Sequence, residues 1–105
     1  MVNNQALARY EEFVARGISG RKMDVDCMME ALITRDDLAT SRLVDFALSL
    51  VNTCEGIARL NDYLFNGTQM QRNYAALYFK RRGRVDLLED AVAQGRIDRD
   101  QAYSK

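Results

Sequence analysis

The apolar residues of this chain recur at the three- and four-residue spacing of amphipathic helices, and no proline interrupts them. A proline inside a helix would remove a hydrogen bond and break it, so the absence of proline from 105 residues permits helices throughout. Glycines punctuate the pattern instead, mostly directly after a helical run, where a left-handed residue commonly ends a helix. The pattern predicts an all-α fold of five to seven short helices, arranged as antiparallel helical hairpins.

The bounds of six helices follow from this spacing. We predict helices over residues 4–16, 25–34, 37–53, 57–66, 68–82 and 85–94. Gly17 is expected to end the first helix, and Gly56 is expected to break or bend the chain before the fourth helix. Inward-facing stripes are expected to include Ala6, Tyr10 and Phe13 in the first helix and Val85 in the sixth.

Polar side chains at the helix starts are expected to cap the free backbone N–H groups. Asp24 and Asp37 stand at the starts of the second and third helices. Thr68 with Gln71 has the form of a capping box, in which each side chain bonds the backbone of the other residue. Asp98, followed three residues later by a glutamine, is expected to cap a short last turn.

Composition and length are those of one ordinary globular domain, with 48% hydrophobic and 29% charged residues. No Pro- or Ser-rich linker divides the chain, so we expect a single all-α domain over residues 1–105. The first five residues have neither a basic run nor an apolar core, which argues against a signal peptide. Apolar runs fall far short of the roughly 20 residues of a membrane span. We expect a cytoplasmic protein with no membrane association.

The residues that the chain lacks exclude several kinds of chemistry. Without histidine it has no Ser-His-Asp or Cys-His site and no His-bearing zinc site. Cys27 and Cys54 are too few for an all-cysteine zinc site and too far apart for C-x-x-C chemistry. Both lie among apolar residues, so we expect buried, reduced thiols. We predict no catalytic residue, no metal, no cofactor and no enzymatic activity; an enzyme that uses carboxylates or a lone cysteine is a third hypothesis.

The densest charge cluster is Lys80-Arg81-Arg82-Gly83-Arg84, which places four cations at the end of the fifth predicted helix. Cations there interact favourably with the negative end of the helix dipole, which explains the cluster without a ligand. The same basic cluster (Lys80, Arg81, Arg82 and Arg84) could bind a phosphate backbone or an acidic protein surface, and Arg72, two turns earlier, could extend it. The balance of 15 basic and 15 acidic residues disfavours nucleic acid as the partner.

Residues 58–67 echo residues 8–17, with identical alanine, arginine and glycine positions. Shared helix-ending residues explain this echo, and so would a stack of related helical hairpins. Residues 57–95 resemble a HEAT-like helical repeat unit. The residues that carry the resemblance are Leu60, Leu64, Arg72, Ala75, Ala76, Phe79, Gly83, Leu87, Leu88 and Ala91. The resemblance implies a two-layer stack of hairpins in a non-enzymatic binding scaffold; an irregular bundle is the alternative architecture.

The leading functional hypothesis is a non-catalytic protein–protein interaction module or small scaffold. Its partner would be another protein or a second copy of the chain, since a short helical stack has open ends. The alternative is a nucleic-acid or phosphate-ligand binder that acts through the basic cluster.

Overall fold

The computed structural model describes residues 4–35 and 37–103, which form helices and no strand. The prediction of an all-α fold with five to seven helices is confirmed. Contacts divide the chain into a first unit, Met1–Arg59, and a second unit, Leu60–Lys105. The seven helices of the described residues are α1 (Asn4–Ser19), α2 (Lys22–Thr34), α3 (Leu38–Ser49), α4 (Cys54–Asn66), α5 (Gln69–Arg81), α6 (Val85–Ala93) and α7 (Arg99–Tyr103).

The single domain and the HEAT-like repeat both stay predictions. The predicted domain covers residues 1–105, and its ends, at residues 1–3 and 104–105, lie outside the described residues. Helices α4, α5 and α6 lie where the HEAT-like resemblance places helices, but that resemblance concerns stacking, which helix positions alone do not test. No helix among the described residues combines the length and apolar character needed to cross a membrane.

In the first unit, α1, α2 and α3 pack against one another around a common core. Helices α1 and α3 contact each other directly and run in the same direction: Arg9 donates to Thr40 near the start of both, and Gly17 meets Ala47 near the end of both. The core side chains are fully or almost fully buried. They are Phe13, Val25, Met28, Met29, Leu32, Val44, Ala47, Leu48 and Val51.

Helix α1 does not end at Gly17, so that prediction is wrong. The helix continues to Ser19 and ends at Gly20, whose φ is +63° and whose N–H donates to the Arg16 carbonyl at 3.0 Å. Gly17 is buried where α1 meets α3, and a Cβ atom on it would overlap the Ala47 carbonyl. Glycine is present there because the two backbones approach too closely for any side chain.

The predicted cap at Asp24 is also wrong. Helix α2 begins at Lys22, whose N–H donates to Glu55 Oε2 at 2.6 Å, and Asp24 lies inside its first turn. The Asp24 carboxylate instead accepts from Arg16 Nη1 at 2.7 Å and from the Ser19 hydroxyl, which joins the start of α2 to the end of α1. The Asp24 carboxylate, which was expected to accept from the backbone of α2, therefore accepts from two side chains of the preceding helix.

The other predicted caps are confirmed. A side-chain oxygen accepts from the N–H three residues later in each case, and the second and third pairs also make the reciprocal bond. The pairs are Asp37 with Thr40, Thr68 with Gln71, and Asp98 with Gln101. The first of these hydrogen bonds lowers the pKa of Asp37, because it stabilises the ionised carboxylate.

The segment predicted as one helix over residues 37–53 ends at Ser49, and α4 begins at Cys54. Thr53 explains the restart: its hydroxyl accepts from the Gly56 N–H at 2.9 Å and donates to the Gly20 carbonyl at 2.6 Å. Gly56 therefore lies in the first turn of α4 and does not break the path. Cys54 is exposed and the other cysteine is half-buried, so the expected burial of both thiols is wrong, although both are free.

In the second unit, α5, α6 and α7 pack against one another. Tyr78 and Phe79 lie in its core with ring centroids 5.1 Å apart, edge to face. Val85 is half exposed, against the expectation that it faces inward, because the core side of α6 is occupied by Leu88 and Ala91.

We predict that Gly17→Ala lowers the free energy of unfolding by about 2 kcal/mol, because the added methyl group must separate α1 from α3. The free energy of unfolding is measured by denaturant titration, with circular dichroism as the signal. Helix propensity alone predicts the opposite sign, a gain of about 1 kcal/mol, so a stabilised variant would contradict the packing role. The control is Gly83→Ala, where no atom lies within 4 Å of the added Cβ. The left-handed backbone of Gly83 is then the only feature that opposes the substitution, at a cost of about 1 kcal/mol.

Candidate functional site

The basic cluster lies in the tight turn that ends α5. Gly83 adopts a φ of +70°, its N–H donates to the Lys80 carbonyl at 3.1 Å, and the Arg84 N–H donates to the Phe79 carbonyl at 3.0 Å. These paired bonds form a Schellman motif, which satisfies carbonyls that the helix leaves free. Lys80 is half-buried, whereas the three arginines of the cluster are exposed.

Two arginines of the cluster have partners within their own turn. Arg84 donates from Nε and Nη2 to the two carboxylate oxygens of Asp86, both at 3.1 Å. This pair raises the pKa of Arg84 and lowers the pKa of Asp86. The guanidinium of Arg82 lies 4.6 Å from the ring centroid of Tyr78, a cation–π contact. Burial raises the pKa of Tyr78, and the neighbouring Arg82 opposes that rise. The cluster is thus partly neutralised by its own surroundings.

Arg72 is bound to the backbone of the second unit at two points. It is half-buried, and it donates from Nε to the Arg96 carbonyl at 2.7 Å and from Nη1 to the Gly67 carbonyl at 2.8 Å. These bonds join the turn before α5 to the turn after α6. The structure therefore gives Arg72 a connecting role between two turns, which the sequence did not indicate.

The exposed apolar side chains are concentrated in the first unit. Eight large hydrophobic side chains are exposed among the described residues, and seven of them belong to this unit. Tyr10 was expected to face inward with Ala6, but 47% of its surface is exposed, and Ala6 is exposed as well. Apolar residues that are exposed singly are ordinary on protein surfaces, but seven in one unit are a distinguishing feature of this part of the chain.

Two apolar stripes meet on the side of the first unit that α1 and α3 share. Both follow helical spacing, one along α1 and one along α3, and their members are exposed or half-buried. We name the residues of the two stripes the α1–α3 face: Leu7, Tyr10, Val14, Ile18, Leu43, Phe46 and Leu50.

Aromatic stacking and close helix contact make the α1–α3 face continuous. The rings of Tyr10 and Phe46 stack with centroids 6.1 Å apart and an interplanar angle of 11°. Further along, Leu50 lies directly beside Gly17, at the close approach of the two helices. A cavity of about 630 Å³ opens at the start of the helices, with Tyr10 and Leu43 in its lining. Sequence reasoning missed this face because it placed Tyr10 in the core, although the apolar arc of α1 is wider than one core stripe.

Among the described residues, no group of three cysteine or acidic side chains has the geometry to hold a metal ion. Comparison of the chain with protein-family models, with curated proteins and with solved structures gives no match.

We predict that Arg72→Ala lowers the free energy of unfolding by about 1–2 kcal/mol, because two carbonyls lose a charged donor. Arg96→Ala is the matched control, since its exposed side chain is removed while its carbonyl remains. It should change the free energy of unfolding by less than about 0.5 kcal/mol. Thermal or denaturant unfolding measures the free energy of unfolding of both variants. Equal changes in the two would contradict the connecting role of Arg72.

Proposed function

We propose that the chain is a non-catalytic protein–protein interaction module or small scaffold that binds protein through the α1–α3 face. The supporting observation is the stacked pair Tyr10 and Phe46, which are 47% and 45% exposed. Aromatic side chains bury a large apolar area when a partner covers them, and they are enriched at the centres of protein interfaces. Exposed apolar patches of this kind commonly mark interaction sites.

The framework beneath the face favours binding because it is already ordered. Both stripes lie on helices that are packed together at Gly17 and supported by the buried Phe13 and Val44. A partner therefore orders few side chains when it binds, which reduces the entropic cost of association. A HEAT-like stack over residues 57–95 is part of the same proposal, since scaffolds of that kind generally bind partners. We also propose a cytoplasmic location, where free thiols such as Cys27 and Cys54 persist.

The test is capture of proteins from native lysate by the tagged chain, with nuclease present. We expect wild type to retain protein that the Phe46→Glu variant loses. Binding would bury the new carboxylate, and burying a charge that has no opposite charge to pair with is costly. Val85→Glu is the matched control: it changes a side chain of similar exposure in the second unit, and should retain what wild type retains. Circular dichroism confirms that both variants fold. Capture that is absent while the chain sediments as a monomer, or capture that is lost equally in both variants, would contradict the proposal.

The second candidate function is binding of nucleic acid or a phosphate ligand by the basic cluster. The observation that favours it is the exposure of Arg81, Arg82 and Arg84 at one helix end. Two observations weigh against it: Arg84 is bonded to Asp86, and the chain carries no net charge.

This candidate predicts that wild type binds RNA or DNA with an affinity that falls steeply as salt rises. Arg81→Glu with Arg82→Glu should lower the slope of log affinity against log salt by about 2, because two phosphate contacts are lost. Arg96→Glu with Arg99→Glu is the control, since it changes the net charge equally at exposed positions of the same unit. Fluorescence anisotropy measures the affinities. If wild type does not bind at low salt, or if both double variants weaken binding equally, the second candidate is wrong.

A further inference from the structure

The α1–α3 face has the two properties that a contact between identical copies requires. Its apolar stripes lie side by side on helices that run in the same direction, so one stripe can cover the other in a second copy. A two-fold interface uses the same surface on both partners, and apolar side chains are compatible with their own kind. From these properties and the flanking charges, we infer that the protein partner at this face is a second copy of the chain. The inference rests on the proposed function.

Two symmetric arrangements bring the face against itself. A two-fold axis along the helices sets α1 of each copy against α3 of the other. An axis across the helices sets α1 against α1 and α3 against α3. The parallel direction of α1 and α3 makes both arrangements geometrically available, so charge at the edges of the face must select between them.

An acidic side chain borders the outer edge of the α1 stripe. Glu11 follows Leu7 by four residues and precedes Ile18 by seven, which places it beside these two residues on the side away from Tyr10. Tyr10 is the member of the stripe that contacts α3, so Glu11 lies on the edge of the face that is remote from α3.

A basic side chain borders the outer edge of the α3 stripe. Arg42 precedes Phe46 by four residues and lies on the side away from Leu50, which approaches α1 beside Gly17. Glu11 and Arg42 are both exposed, and neither enters an ion pair within residues 4–35 and 37–103.

These charges favour the axis along the helices. In that arrangement Glu11 of one copy lies on the same edge as Arg42 of the other, and the pair occurs twice. With the axis across the helices, each edge would carry two charges of the same sign, which costs free energy. The proposed dimer therefore has apolar stripes and aromatic pairs at its centre and two opposite-charge pairs at its edges.

Sedimentation of the full chain over a range of concentrations measures the dimer directly. We expect a mass that rises from the 12.0 kDa of one chain to twice that value. Glu11→Arg or Arg42→Glu alone should raise the dissociation constant about tenfold, because two attractive pairs become repulsive. The double variant Glu11→Arg/Arg42→Glu should restore it, which a loss of folding could not do. Glu89→Arg, at an exposed position in the second unit, is the control and should leave the dissociation constant unchanged.

Several results would overturn the inference. A monomer at all concentrations, a dimer that survives Phe46→Glu, or a double variant that does not recover would each do so. An unchanged dissociation constant in Glu11→Arg alone would show that the axis runs across the helices, because each edge would still carry two charges of the same sign. A monomer that still captures another protein in a Phe46-dependent way would remove the second copy but leave the proposed function standing. A monomer with no such capture would remove both.

Discussion

The close approach of α1 and α3 at Gly17 determines the organisation of the first unit. With no side chain at this position, the backbone of α1 lies against the carbonyl of Ala47, and the two helices can run side by side in the same direction. That contact sets the register in which Tyr10 stacks on Phe46 at the surface. The core and the exposed α1–α3 face are thus two consequences of one close helix contact, because moving the helices apart would open both.

The end of α5 illustrates why a dense charge cluster is weak evidence for a ligand. Its Schellman turn places cations where the helix dipole favours them, and neighbouring groups then engage Arg82 and Arg84. A structural role therefore explains much of the cluster. The exposed aromatic pair of the first unit has no comparable explanation, since leaving Tyr10 and Phe46 in water gives up free energy that burial would recover. This contrast is why we favour protein binding over phosphate binding.

The helices and most of their starts could be predicted from the sequence because the signals involved are local. A cap such as Thr68 acts on Gln71, three residues away, and the two residues carry the whole interaction. The same holds for Asp98 and Gln101. The basic cluster was also visible in the sequence, because its four cations are nearly consecutive. Helix periodicity needs only the chain's own spacing, so the all-α class followed without any knowledge of tertiary contacts.

Tertiary structure alone decided the features that depend on distant neighbours. Glycine commonly ends a helix, but Gly17 lies inside α1, where the backbone packs against Ala47, thirty residues later. Asp24 could cap α2, but Arg16 and Ser19 occupy its carboxylate once the first two helices meet. Tyr10 follows the spacing of a core residue, yet the helix arrangement leaves it at the surface. A sequence specifies which side chains share a stripe, whereas the packing of other helices decides which stripes are buried.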